Sequence, residues 1–367
     1  MRICFIALGK FNHVQPYIDY FRQAGHEVHF VALTPGPDRG VPTHNVDPLG
    51  SHDKKGRYPL AMLRARLVIR KIKPDIVHGH FATSAGLAAL VCGVRPYLVT
   101  AHGSDVTLGL ESTIWRLILR FIFNHSDCVN VVSDGLRDMV LGLGIPQAKV
   151  ETLTLGIDTN RFVFQPPRQK TLLTPIRLIC TRRLEEVYNH LTIVRAMAIL
   201  AKRHIVFKLT LVGDGPFRAQ LQDQALELGI ENRVTFAGTV PNQHLPELFA
   251  DHDIYLSASL RDGTSLSLLE AMASGLYPIV SDIRANSDWI QHGQNGRLHR
   301  VSDPENLADC IQDHLRDAGT SGETLAFNRD LVVRRGDRAT NMKQLEGVYY
   351  KLKSKTRPHG LRSTRTQ

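Results

Sequence analysis

The 367-residue chain is short of acidic residues and of cysteine. Lys and Arg number 45 against 35 Asp and Glu, a formal net charge of +10. That imbalance points toward an anionic partner: nucleic acid, a phospholipid surface or a phosphorylated small molecule. No helix-turn-helix, RNP-type or zinc-finger signature accompanies the charge, so nucleic acid is not an expected partner. The five cysteines, Cys4, Cys92, Cys128, Cys180 and Cys310, are odd in number and scattered, without a CxxC pair. A disulfide framework is excluded, and a reducing compartment is expected. No apolar run approaches the roughly 20 residues needed to cross a bilayer. The apolar start, Met1 to Gly9, is too short for a signal peptide and lacks a cleavage site, so it reads as a buried strand. The expectation is a cytoplasmic protein, peripheral at most to the inner face of a membrane.

What is present is ordinary globular composition, 43% apolar and 22% charged, in a chain long enough for two domains. Short β-branched runs alternate with segments of helical period. Strands are predicted at 2–8, 27–33, 74–80, 97–101, 127–132 and 149–154. Helices lie between them at 13–24, 59–72, 83–92, 112–124 and 134–143, the last capped by Ser133. After a loop-like stretch from Gly156 to Pro175 the alternation resumes. Strands are predicted at 177–181, 207–212, 233–236, 253–257 and 277–281, and helices at 190–203, 216–229, 242–250 and 266–274. A helix at 303–317 opens with Asp303 as cap and Pro304 in the first turn, and a last one covers 337–353. Steady alternation means α/β domains with parallel sheets covered on both faces. Ligands of such sheets bind at the carboxyl ends of the strands.

Three features occupy strand ends in the first half: Gly9-Lys10-Phe11, His78-Gly79-His80 and His102-Gly103-Ser104-Asp105. The two histidines of the HxH pair could share a metal ion with His102, which would suit a metal-dependent hydrolase. Such a pair is more commonly plain polar packing, and no further ligands stand at fixed spacing. His102 follows an apolar strand, where it is either a solvated residue of a helix-capping turn or a functional group. In the second half, Val212-Gly213-Asp214-Gly215-Pro216 makes a tight turn, with Arg218 where a dinucleotide fingerprint needs its third glycine.

The richest segment runs from Leu260 to Gly275. Asp262 and Glu270 stand eight positions apart, across a Gly-Thr-Ser loop that leads into a helix. Unpaired amides at that helix start suit a diphosphate, and Glu270, expected in the first turn, could accept hydrogen bonds from sugar hydroxyls. The same residues fit a capping box, Ser267-Leu-Leu-Glu270, and a common Asp-Gly turn.

In order along the chain, Pro74–His80, His102–Asp105, Thr181-Arg-Arg-Leu184, Val212–Pro216, Phe236-Ala-Gly-Thr-Val240, the 260–275 block, Asn295-Gly296 and Asn341-Met342 resemble the retaining glycosyltransferases of family 4. The resemblance implies the GT-B fold, two facing Rossmann-like doubly wound domains with an interdomain cleft. It divides the chain into an acceptor domain (1–165), a nucleotide-sugar domain (166–335), and a C-terminal helix with a basic tail (336–367) returning to the first domain. It further implies a nucleoside-diphosphate sugar as donor, a glycan or lipid-linked acceptor, and neither metal nor other cofactor. His102, Arg183 and Asp262 take catalytic roles in that scheme. Gly9, Arg183, Gly213, Val240, Thr264, Ser265, Leu266 and Glu270 hold the donor. Two positions depart from the family's pattern: Asp262 stands for the first glutamate of its E-x7-E motif, and Tyr188 for a lysine of the diphosphate clamp. The paired glycines common after strand one are also missing. A sugar-nucleotide-binding protein without activity is the remaining alternative.

From Lys54 to Lys73 the chain carries eight Lys or Arg and no acid, and from Lys351 six more. The 54–73 stretch reads as a solvated face or as a contact with an anionic membrane surface.

Overall fold

The computed structural model describes residues 1–47, 58–166, 174–317 and 322–356. The basic residues Lys54, Lys55 and Arg57, and the tail from Arg357 onward, lie outside the described residues. The chain divides into two compact units, residues 1–155 with 339–367, and residues 156–338. The sequence reading divides it at 165 and 335 instead.

Among the described residues of the first unit, seven strands form a parallel sheet. They are β1 (Arg2–Ala7), β2 (Glu27–Ala32), β3 (Thr43–Asn45), β4 (Ile76–His80), β5 (Tyr97–Ala101), β6 (Cys128–Val131) and β7 (Val150–Thr152). Their order is β3-β2-β1-β4-β5-β6-β7, which reverses direction between β1 and β4. Crossovers are made by α1 (Gln15–Gln23), α2 (Tyr58–Ile72), α3 (Leu87–Cys92), α4 (Ser104–Leu110), α5 (Thr113–His125) and α6 (Asp134–Gly142). β1, β4, β5 and β6 are buried on both faces, so none alternates between buried and exposed positions; β1 and β5 are largely apolar, while β4 and β6 also bury His78, His80 and Asn130. Ser133 caps α6 through the amide of Leu136.

The second unit repeats the pattern. β8 (Ile176–Cys180), β9 (Phe207–Val212), β10 (Val234–Gly238), β11 (Ile254–Ser257), β12 (Tyr277–Ser281) and β13 (Arg297–His299) pair in the order β10-β9-β8-β11-β12-β13. The helices are α7 (His190–Lys202), α8 (Arg218–Glu227), α9 (Leu245–Ala250), α10 (Leu266–Ser274), α11 (Arg284–Ser287), α12 (Pro304–Arg316) and α13 (Gly322–Gly336). Asp303 caps α12 at the amide of Asn306, with Pro304 at its first position. Both sheets have the strand order of the doubly wound dinucleotide-binding fold.

A last helix, α14 (Arg338–Thr356), leaves the second unit at its first residue and packs on the first. Tyr349 bonds His78 at 2.5 Å, Glu346 bonds His26 at 2.8 Å, and Lys353 pairs with Asp75 at 2.8 Å.

The structure adds β3, α4, α11, β13 and α13 to the expected elements. Most are three to seven residues long, too short for a periodic signal. α13 is longer but buries Leu325, Asn328, Val332 and Gly336, so half of its inward positions carry no apolar side chain. Asn328 is buried because Asn295 satisfies it at 2.9 and 2.7 Å.

Candidate functional site

In the second unit, chemistry gathers after β8 and β11, the strands flanking the reversal of strand order. β11 runs out into a loop that ends at Ser265, whose hydroxyl accepts the Leu268 amide and caps α10. Ser267 is therefore not the cap; its hydroxyl bonds Tyr255 at 2.8 Å. Glu270, expected in the first turn, is the fifth residue of α10 and lies in its second turn.

Arg182 organises this loop. Its guanidinium pairs with the Asp262 carboxylate and donates to Ser265 at 3.3 Å and Ser267 at 3.2 Å. The same group lies 4.3 Å from the centre of the Tyr188 ring. Burial is the largest single influence and opposes its charge, but Asp262 together with Tyr255, Tyr188 and Cys180 holds the guanidinium above its ordinary value. Nε of Arg182 is buried and makes no hydrogen bond among the described residues.

Arg183, the arginine singled out from the sequence, is 71% exposed at its side chain and pairs with Glu185 at 2.9 Å. It is not brought together with Asp262. Sequence reasoning passed over Arg182; the available signal was an arginine doublet followed by Tyr188 where the family carries lysine.

Glu270 is buried, and among the described residues its carboxylate has no hydrogen bond or ion pair. Burial pushes its pKa up to about 7, against the opposing pull of Arg338, Arg182 and Arg161. Its oxygens are not among the fully buried unpartnered atoms and so retain contact with solvent, which leaves them accessible to a ligand hydroxyl that donates to them.

Gly213 has φ +134°, and a Cβ there would lie 2.5 Å from the Arg182 carbonyl oxygen. The glycine lets the turn after β9 run against the 182–184 backbone. Val240 follows β10 and packs on the unit's apolar core. Thr264 and Leu266 flank the cap residue Ser265.

In the first unit the expected histidines converge. His80 Nδ1 and His102 Nε2 are 3.1 Å apart, the His78 and His80 rings 4.2 Å, and the His13 and His102 rings 4.5 Å. Burial lowers the pKa of all four, to about 3 for His78 and about 4 for His13. They form a neutral cluster. His78 spends both nitrogens, on Tyr349 and on Thr100 at 2.7 Å. Among the described residues no three His, Cys, Asp or Glu side chains could hold a metal ion, so the hydrolase alternative has no ligand set in this cluster.

His102 is half-buried against Phe81, their rings 4.8 Å apart, and its Nδ1 makes no hydrogen bond among the described residues. The turn that carries it is built by Asp105, whose carboxylate accepts the amides of Ala82 (2.7 Å), Gly103 (2.9 Å) and His102 (3.1 Å). One buried carboxylate thus ties the ends of β4 and β5 together. Gly9 is packed against Thr34, to which its amide donates at 3.0 Å, and Arg39 donates to its carbonyl at 2.7 Å. Its amide is thus already occupied.

Residues 164–326 match the family described as glycosyl transferases group 1, and residues 9–161 match glycosyltransferase family 4. N-acetyl-alpha-D-glucosaminyl L-malate synthase of Bacillus anthracis is 31% identical over 287 residues, 75% of this chain and 74% of that one. The GDP-mannose-dependent alpha-(1-6)-phosphatidylinositol monomannoside mannosyltransferase of Mycobacterium tuberculosis is 27% identical over 75% of each chain. In fold, Anabaena HepE in complex with UDP superposes with a TM-score of 0.78 at 18% identity, over 96% of this chain and 100% of that one.

Proposed function

The chain belongs to the group 1 glycosyltransferases of family 4, and from that premise we propose that it moves a sugar from a nucleoside diphosphate to an acceptor hydroxyl with retained anomeric configuration. The observation that carries this reading is Glu270, a largely buried carboxylate with no hydrogen bond or ion pair among the described residues and with its oxygens still open to solvent, on the helix that follows the Ser265-capped loop. Two ribose hydroxyls would supply the donors it lacks. The mannosyltransferase relative is named for a GDP-mannose donor and a phosphatidylinositol acceptor, and the HepE structure holds UDP. Both support a nucleotide-sugar donor, and the mannosyltransferase, whose name specifies phosphatidylinositol monomannoside, supports a glycan or lipid-linked acceptor; the reading places the reaction in the assembly of a cell-surface polysaccharide or glycolipid.

The departing diphosphate gains charge as the glycosidic bond breaks, and only groups that bind it more tightly then will speed the step. Arg183, exposed beside the loop, and the helix-start amides at Thr264 to Leu266 are assigned to that charge. Asp262, held by Arg182, is assigned to the donor sugar. His102, neutral and with Nδ1 open, is assigned a hydrogen bond to a sugar hydroxyl rather than proton transfer. The leaving phosphate takes the acceptor's proton, so no protein base is named. No metal is needed in this scheme, because arginine and amides carry the neutralising charge.

Calorimetric titration with UDP, GDP, ADP and CMP in EDTA-containing buffer tests the site. Selective micromolar binding of one nucleotide, lost in Glu270→Ala, is the expected result. Absence of binding by all four would sink the donor-site assignment.

A further inference from the structure

The second unit holds a cavity of about 230 Å³ that is lined by none of the residues assigned above to the donor. Its walls come from the starts of α7 and α8 and from the loops after β8, β11 and β13. The loop after β8 thus serves two places. Arg182, against the Tyr188 ring, pairs with Asp262, whereas Glu185, Glu186, Asn189 and His190 line the cavity.

His190 is 3% exposed, and its Nδ1 makes no hydrogen bond among the described residues. Its Nε2 lies 3.6 Å from Cys180 Sγ. Burial, with the charge of Arg182 nearby, lowers the imidazole pKa to about 4, so the ring is neutral, with one donor and one acceptor nitrogen. A buried nitrogen left unpaired is costly, and this ring is part of the cavity wall. Asn189 (φ +47°) and Ser302 (φ +58°) line the same cavity, and the Asn189 amide donates to Ser302 Oγ at 3.1 Å. Non-glycine residues held in the left-handed region are strained, and such strain clusters at ligand sites.

The walls select the ligand's chemistry. α7 and α8 both begin at the cavity and neither start has a side-chain cap, so their positive ends disfavour a cation. Glu186, exposed and without an ion pair among the described residues, and Glu185, paired with Arg183, disfavour an anion. What fits is a neutral molecule whose hydroxyls donate to carboxylates and a ring nitrogen and accept from helix-start amides. Phe217, Leu191, Leu221 and Leu260 offer it an apolar surface. The volume falls below the roughly 300–1,000 Å³ of drug-sized sites, which suits one sugar ring and not a sugar nucleotide. We propose that this cavity is a second saccharide site, where Glu186, His190 and Phe217 hold one neutral sugar residue of a glycan that takes no part in the reaction. Binding there does not rest on the transferase reading above.

The full chain is titrated by NMR with glucose, galactose, mannose and N-acetylglucosamine, and with glucosamine and glucuronate as charged controls. Expected is saturable saturation transfer to at least one neutral sugar, bound at least fivefold more tightly than either charged control. The Cε1 proton of His190, identified by its loss in His190→Gln, should shift along the same titration. Glu186→Ala and Phe217→Ala should each weaken binding at least fivefold, and circular dichroism checks that both variants fold. Glu186 is exposed, so its variant tests the site without touching the core. No binding of any neutral sugar overturns the proposal, as does a charged control bound as tightly. An unmoved His190 proton, or binding that survives both variants, places the sugar elsewhere and overturns it too. Nucleotide calorimetry is read separately: sugar binding without nucleotide binding defeats the donor-site reading alone, and the reverse defeats the saccharide proposal alone.

Discussion

The guanidinium of Arg182 lies 4.3 Å from the centre of the Tyr188 ring while pairing with Asp262. Both partners stand where the sequence resemblance implies other residues, a lysine at 188 and a glutamate at 262. The two are parts of one arrangement, in which the Arg182 guanidinium stands over the Tyr188 ring and holds the Asp262 carboxylate.

Arg182→Ala would leave Asp262 largely desolvated and unpaired. A loss of about 3–5 kcal/mol in stability is expected by urea unfolding, as for other broken buried pairs. Arg182→Lys keeps the charge but not the fork and stacking face, so it should fall between wild type and alanine. A lysine variant as unstable as alanine would show that charge at this position is not what holds the loop.

Glu270 gives stability a pH dependence with a defined sign. Its pKa is raised in the folded chain to about 7 from 4.5. The unfolded chain therefore releases this proton first, and stability falls as pH rises from about 4.5 through about 7. Glu270→Gln removes the charge and should gain on wild type by up to about 3 kcal/mol at pH 8, and by little at pH 4. Melting curves at the two pH values measure it, and an equal difference at both would contradict the assigned cause.

The same group should make nucleotide affinity pH-dependent. Two hydroxyls donate best to the ionised form, because a protonated carboxyl turns one of its oxygens into a donor, so association strengthens as pH rises through about 7 and then levels off. Below that point affinity should drop by up to about tenfold per pH unit. Glu270→Gln, titrated in parallel, should lose this component and keep only the ligand's own titration.

Tyr349→Phe removes the hydroxyl from His78 Nδ1 and leaves a buried ring nitrogen without its partner. A destabilisation of about 1–3 kcal/mol is expected. Because Tyr349 also stacks on Phe21 at 4.8 Å, the phenyl ring should keep α14 docked. Amide exchange across α14 then separates local loosening from global unfolding.

The strands other than the three-residue β3 and β13 were legible in the sequence to within about two residues, because burial on both faces writes strands such as β1 and β5 as largely apolar runs. Caps at Ser133 and Asp303 were legible because a cap needs only a side chain and an amide three residues on. The capping box at Ser267 was misread for the same reason: Ser265 and Ser267 look alike locally, and only Tyr255 and Arg182, brought in from other strands, decide which hydroxyl is free to cap.

By itself, then, the sequence determined two doubly wound α/β units, the loops at their strand ends, and the family whose motifs those loops carry. All of these depend on residues a few positions apart. The tertiary structure alone decided that Arg182 rather than Arg183 meets Asp262 across 80 residues of chain, that burial holds four histidines below their ordinary pKa, and that Glu270 is largely buried with no partner among the described residues. It also decided that Asn189 and Ser302 meet at one cavity. Those properties arise from desolvation and long-range pairing, energies that exist only once distant segments have excluded water together.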